Sequence, residues 1–328
     1  MNRINRFLST NGLWLPMSFF IFIVYVVQRG FATIAKSGMV PDFFPQAMSI
    51  YFTTMSVGVL AGGFLLDRFR AKDILLLACI VGSIGIILID ITPWGFGLFF
   101  GGAAAIIKAR DTANDGMMIA PQSSAKNFGG AVFLLFLGAV IGGMSLFSVS
   151  VALGIAMLAA GVYTCNVMPD NKLVAWKIKD VIALMKLGTF WVLMIYFFLM
   201  CGIYYIAVSE LYPGLTKVGG YSKEMAILIL AASYILSGAL RWPAAWLGNF
   251  FGYWSVLILG LLGMGVAIPM AATEPVSATF CFAIFSALQT PNYWPLAKQT
   301  FGRQYLATVV GLGFVFMYLG AGVMYGKW

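Results

Sequence analysis

Gly62-Gly63-Phe64-Leu65-Leu66-Asp67-Arg68-Phe69-Arg70-Ala71-Lys72 places four charges between two long apolar runs. The paired glycines let neighbouring helices approach closely. An acid at a helix end can pair with a cation or a helix N-terminus in one arrangement and lose that partner in another. Upstream, residues 44–66 are apolar enough to cross a bilayer, and downstream so are 74–92; a bilayer core of about 30 Å needs about 20 such residues as helix.

The same pattern continues along the chain. Further spans are expected at 13–35, 94–119, 128–147 and 149–168, then, after a polar stretch, at 189–209, 224–247, 255–273, 275–297 and 307–326. Turn chemistry separates them at Thr92-Pro93, Pro121-Gln122-Ser123-Ser124, Met168-Pro169-Asp170-Asn171, Tyr212-Pro213-Gly214 and Glu274-Pro275. The 328 residues are 61% hydrophobic and 9% charged, where a soluble domain carries about 25% charged residues. So little charge cannot cover a water-facing surface, which excludes a soluble enzyme. The chain has no histidine, so imidazole catalysis, imidazole metal sites and histidine proton relays are also excluded. Cys79, Cys165, Cys201 and Cys281 sit far apart in apolar runs and read as small core residues, with neither metal spacing nor a disulfide framework. No cofactor or metal is expected.

The net charge of +9 reads as topology. With the N-terminus in the cytoplasm, twelve basic residues fall on the inside, Lys126 among them, against four outside: Lys36, Lys217, Lys223 and Lys327. This obeys the positive-inside rule and removes the motive for nucleic-acid binding. The polar stretch between Lys172 and Lys186 predicts an amphipathic cytoplasmic helix joining the halves.

A shift of 182 residues aligns spans two to five with spans eight to eleven without a gap. Pro93 meets Pro275, Gln122 meets Gln304, Leu137-Gly138-Ala139 meets Leu319-Gly320-Ala321, and Asp67-Arg68-Phe69 meets Asn249-Phe250-Phe251. Two parallel helical repeats are one plan of secondary transporters. The expectation is an all-α membrane protein: a bundle at 1–168, a linker at 169–188 and a second bundle at 189–328. Eleven spans are visible, and the repeat suggests that a twelfth is missing.

On these residues the chain resembles the major facilitator superfamily. Gly63, Asp67, Arg68 and Lys72 match its signature between helices two and three, roughly G-x-x-x-D-R-x-G-R-K. Arg70 stands where glycine is usual, and Ala71 where arginine is. The resemblance implies two six-helix bundles, alternating access, and a gating role for Asp67, Arg68 and Lys72. Gly138-Ala139-Val140-Ile141-Gly142-Gly143 resembles the antiporter signature, with alanine replacing its proline; small-residue helix packing explains this stretch equally well.

Ionisable residues inside a membrane are functional candidates. Arg29, Lys108, Arg110 and Arg241 fall within spans. The stretch around Arg29, with Tyr25 and Gln28, resembles organophosphate–phosphate antiporters. Gly238-Ala239-Leu240-Arg241-Trp242-Pro243 resembles nitrate/nitrite porters. Both resemblances imply anions, which suit the planar donor fork of arginine. Lys108 and Asp111 lie one helical turn apart, so a structural ion pair competes with a substrate role for Lys108 and a coupling role for Asp111. Pro291-Asn292-Tyr293-Trp294-Pro295 should unwind the tenth span and present Asn292 and Tyr293 to a cavity, with Tyr205 on the seventh span as a further candidate.

The expected protein is a monomeric multi-pass transporter of the cytoplasmic or inner membrane. It would carry a small organic or inorganic anion, with a proton or counter-substrate as coupling partner. The alternatives are a receptor or assembly factor on the same scaffold, or a carrier of neutral solutes or drugs.

Overall fold

The computed structural model describes residues 28–29, 31–33, 42–65, 69–90, 92, 119–140, 145–167 and 178–325. They form α1 (Phe44–Leu65), α2 (Ala71–Ile87), α3 (Ile119–Val140), α4 (Leu146–Val167), α5 (Ile178–Met185) and α6 (Gly188–Pro213). The second repeat continues with α7 (Lys223–Ala239), α8 (Arg241–Phe251), α9 (Tyr253–Met270), α10 (Pro275–Ala287), α11 (Thr290–Phe301) and α12 (Leu306–Tyr325). There is no strand among the described residues. Helices satisfy each backbone donor and acceptor within one segment, as a lipid-embedded chain requires in the absence of water. Segments Phe147–Asn166, Gly188–Val218, Tyr253–Met270 and Thr308–Tyr325 are each long and apolar enough to span, and α7 with α8 spans as a pair bent by 45°. The protein is an integral, multi-pass membrane protein of helical fold.

The 182-residue repeat is visible in the architecture. α2 begins at Ala71 and α9 at Tyr253, in register. The register carries α1 onto α7–α8, and α3 onto α12. α1 packs against α12, and α3 against α7, so the two pairings are images of each other and each half contributes one helix to each seam. Both seams are fastened alike. Ser49 Oγ donates to the Gly322 carbonyl at 2.9 Å, and Ser124 Oγ donates to the Gly238 carbonyl at 3.0 Å. A Cβ on Gly238 would come within 3.2 Å of the Phe128 ring, and one on Gly322 would press on Thr53. The missing side chains are what allow these backbones so close. Ser124 lies near the start of α3 and Gly322 near the end of α12, its repeat mate, so the two fastenings sit at different depths of the bundle.

Several expected boundaries move. α3 starts at Ile119, nine residues before the expected span, and runs through Pro121-Gln122-Ser123-Ser124. The proline sits in the first turn, where its missing N–H would be unpaired in any case. Likewise the helix passes through Pro213 and widens into a π-turn over Gly214–Val218 instead of turning at 212–214. The expected tenth span divides into α10 and α11 at Leu288-Gln289, upstream of the proline cluster. A proline ring displaces the carbonyl four residues earlier. For Pro291 that residue is Ala287, the last of α10; for Pro243 it is Ala239, the last of α7. Both breaks have one cause. Of the expected linker helix, α5 is described, with Leu184 buried and Ile178 and Ile182 exposed. Arg70, one of the two departures from the signature noted above, forms a two-pronged pair with Asp73 at 2.8 and 3.1 Å on the exposed face where α2 begins.

Candidate functional site: a cationic and aromatic cavity between the repeats

Arg29 is anchored from three sides. Thr33 Oγ1 donates to the Arg29 carbonyl at 2.8 Å and shares a hydrogen bond of 2.8 Å with the Tyr234 hydroxyl. Gln28 Nε2 donates to the Tyr205 hydroxyl at 2.6 Å, and the Tyr325 hydroxyl donates to the Ala32 carbonyl at 3.0 Å. These bonds tie the segment to α6, α7 and α12 of the other half. The Arg29 guanidinium carbon then stands 5.1 Å from the Tyr204 ring centre and 5.8 Å from that of Tyr234. A cation over a ring face is attracted by the ring quadrupole, more strongly where water is excluded.

Arg241 opens α8 at the bend and is 1% exposed, the bulkiest of the fully buried side chains among the described residues. Its Nη2 donates to Asn127 Oδ1 on α3 at 3.4 Å. Asn127 Nδ2 donates to Ser237 Oγ at 2.9 Å, and Ser237 shares a hydrogen bond of 3.1 Å with Ser286 on α10. One asparagine from the first repeat thus stands between two helices of the second. Beside it, Lys126 is 7% exposed, with its ammonium 6.0 Å from the Phe314 ring centre.

These three cations border one interior cavity of about 60 Å³. A water needs roughly 10–15 Å³ on this measure, so the space admits several waters or a small solute group. Tyr204, Tyr205, Tyr293, Phe314 and Tyr318 supply ring surface, with Met200 and Met317 beside them. Ser286, Gln289 and Thr290 add polar groups. Gln289 is held in place, accepting from the Tyr196 hydroxyl and donating to the Leu257 carbonyl at 3.1 Å. Among the described residues the lining includes no carboxylate. Buried like charges destabilise one another, and an entering anion reverses the sign of that interaction.

Of the residues singled out in the sequence, Arg29, Arg241, Tyr205 and Tyr293 border the cavity, and Gln28 orients Tyr205. Asn292 lies outside the lining: its amide nitrogen bonds the Ala244 and Leu288 carbonyls at 3.0 and 2.7 Å and ties α11 to α8. Lys72 sits in the first turn of α2, away from the cavity. Tyr25, Asp67, Arg68, Lys108 and Asp111 lie outside the described residues.

Lys126 requires a correction. Counted with the cytoplasmic loop charges, it lies instead inside α3 and faces the cavity, because α3 begins before Pro121. A helix drawn from Ile119 would have revealed it: Lys126 is four residues before Gly130, which packs on the Arg29 side chain, and seven before Phe133, whose ring meets Phe31. Nothing in the sequence pattern of their own span singled out Ser286, Gln289 or Thr290. The repeat offered a pointer to the last of these, since the 182-residue shift carries Lys108 onto Thr290 and Asp111 onto Tyr293, both of which line the cavity.

No family model matches the sequence, and no curated protein matches it. Solved structures do match. The nucleoside transporter NupG aligns over 96% of this chain and 89% of its own, at 13% identity and TM-score 0.71. A bacterial homologue of the human lysosomal transporter Spinster, inward-facing and occupied, aligns over 97% and 81%, at 15% identity and TM-score 0.70. The E. coli fucose:proton symporter FucP aligns over 95% and 90%, at 15% identity and TM-score 0.65. FucP is described as a major facilitator superfamily transporter. The chain has the fold of that superfamily.

Proposed function

We propose that this chain, built on the major facilitator fold, is a membrane transporter that moves a small anionic solute by alternating access. The observation that carries the reading is the meeting of Arg29 and Lys126 from one half with Arg241 from the other around a single cavity between the two repeats. In such a mechanism a solute between the halves is exposed to one side when one seam parts, and to the other when its image parts. The paired fastenings Ser49–Gly322 and Ser124–Gly238 suit that exchange, being short, uncharged and alike. The cations supply the preference for anions: guanidinium and ammonium groups bind oxyanions through charge-assisted hydrogen bonds.

In this reading Lys108 binds solute and Asp111 serves coupling, as the sequence-repeat mates of Thr290 and Tyr293, and Asp67, Arg68 and Lys72 act at the cytoplasmic end as a latch. The N-terminus lies in the cytoplasm, and the membrane is the cytoplasmic or inner one. A proton or counter-substrate completes the cycle.

A second reading, a carrier of neutral solutes, draws on the ring-rich lining and on the nucleosides and sugar in the names of the structural neighbours. Reconstitution separates the two. Anion uptake into proteoliposomes that collapses in Arg241→Gln, with the fold retained, is the expected result. Uptake confined to neutral solutes, and indifferent to that substitution, rejects the anion reading.

A further inference from the structure

The cavity lining is of two kinds, and this narrows the solute beyond its charge. Arg29, Lys126 and Arg241 provide a cationic part. The remainder is dominated by rings and thioethers. On α12, Phe314 and Tyr318 lie one turn apart, with ring planes 18° from parallel and centroids 6.1 Å apart, and both border the cavity. Trp294 braces Phe314 edge-on at 5.3 Å, and Phe197 braces Tyr293 at 5.4 Å. The surface is rigid because its rings are packed against other rings, and Lys126 joins it to the cationic part by standing over Phe314.

An inorganic oxyanion needs donors around its whole surface to replace the water it loses. Ring faces carry the negative lobe of the quadrupole and offer such an ion repulsion instead. They attract a flat or apolar body.

We infer that the transported solute is an organic anion, with a carboxylate or phosphate head among Arg29, Lys126 and Arg241 and a planar, apolar body against Tyr293, Phe314 and Tyr318. This rests on the reading above that the cavity takes an anion.

The test uses the purified full chain in nanodiscs, with binding followed by thermal shift and calorimetry. Benzoate and phenyl phosphate carry head and body; acetate and inorganic phosphate carry the head alone; benzamide carries the body alone. Benzoate and phenyl phosphate are expected to bind at least about tenfold more tightly than acetate and inorganic phosphate, with benzamide weaker still. Phe314→Ala, or Tyr318→Leu should the first variant fail to fold, is expected to lower benzoate affinity more than acetate affinity. Equal binding of acetate and benzoate overturns the inference and leaves the anion reading standing. Benzamide binding as tightly as benzoate overturns both, as does a folded protein that binds none of the probes.

Discussion

Arg241 Nη2 meets Asn127 Oδ1 at 3.4 Å across the seam between the repeats, so the most deeply buried cation of one half is held in part by an amide of the other. The bond is longer than the usual 2.7–3.2 Å for N–H···O contacts, which suits a contact that must be exchanged when the halves separate. Replacing the amide with a carboxylate, Asn127→Asp, adds a fixed anion against Arg241. Solute affinity is expected to fall by about tenfold or more, measured by calorimetry, while the melting temperature holds or rises. An affinity equal to that of the parent would detach Arg241 from solute binding.

Asn127→Ala removes the amide altogether, taking the acceptor from Arg241 Nη2 and the donor from Ser237 Oγ inside the bundle. Leaving a buried group unsatisfied costs about 1–3 kcal/mol, so the melting temperature in detergent should drop. Ser237→Ala should cost less, since the links it disturbs, to Asn127 and to Ser286, are both neutral.

The seams can be tested by covalent closure. Ser124→Cys with Gly238→Cys joins the halves at one seam, and Ser49→Cys with Gly322→Cys joins them at the other. Oxidation of either pair is expected to stop flux in proteoliposomes, and reduction to restore it. Undiminished flux with a quantitatively formed cross-link at both seams would exclude rocking of the halves.

Tyr205→Phe deletes the hydroxyl that accepts from Gln28 Nε2 and leaves the ring, including its edge contact with Tyr204, in place. The expected loss is about 1 kcal/mol of stability, with a reduced rate of transport because the Arg29 segment loses one anchor. A rate that survives while stability falls would make the bond purely structural.

At Arg29 the charge and the shape of the group can be separated. Arg29→Lys keeps the charge but loses the flat face that lies over Tyr204 and Tyr234; Arg29→Met loses both. Affinity is expected to fall in steps, Arg above Lys above Met, because lysine is a point charge with no planar fork.

The exposed pair of Arg70 and Asp73 stands apart from all of this. Surface ion pairs contribute about 0–1 kcal/mol, so Arg70→Ala should leave the melting temperature nearly unchanged.

What could be read from the sequence was what depends on periodicity and cost. Long apolar runs must be spans, an arginine inside one is expensive enough to stand out, and a gapless 182-residue register implies paired halves. These considerations located Arg29, Arg241 and Tyr293. Lys126 escaped because a lysine five residues after a proline looks like a loop charge; only the tertiary choice to start α3 at Ile119 put it inside. Asn127 and Gln289 escaped for a different reason. A buried amide is defined by what its two ends touch, and those partners lie on other helices, 110 residues away for Ser237 and 93 for Tyr196. The break at Leu288-Gln289 was read three residues too late, since a proline acts on the carbonyl four positions upstream and not on its own position.

The break at Leu240 gives Arg241 a mechanical position as well as a chemical one. α8 has eleven residues, about 16 Å at 1.5 Å per residue, and the 45° bend from which it departs lies where the guanidinium is attached. A pull on that group acts at a fulcrum. Turning the lever by about 5° displaces its far end, near Phe251, by about 1.4 Å over that length. α8 lies against α9 and α11, so the displacement is handed to two further helices. A solute too small to bridge the bundle could in this way still be felt at its edge.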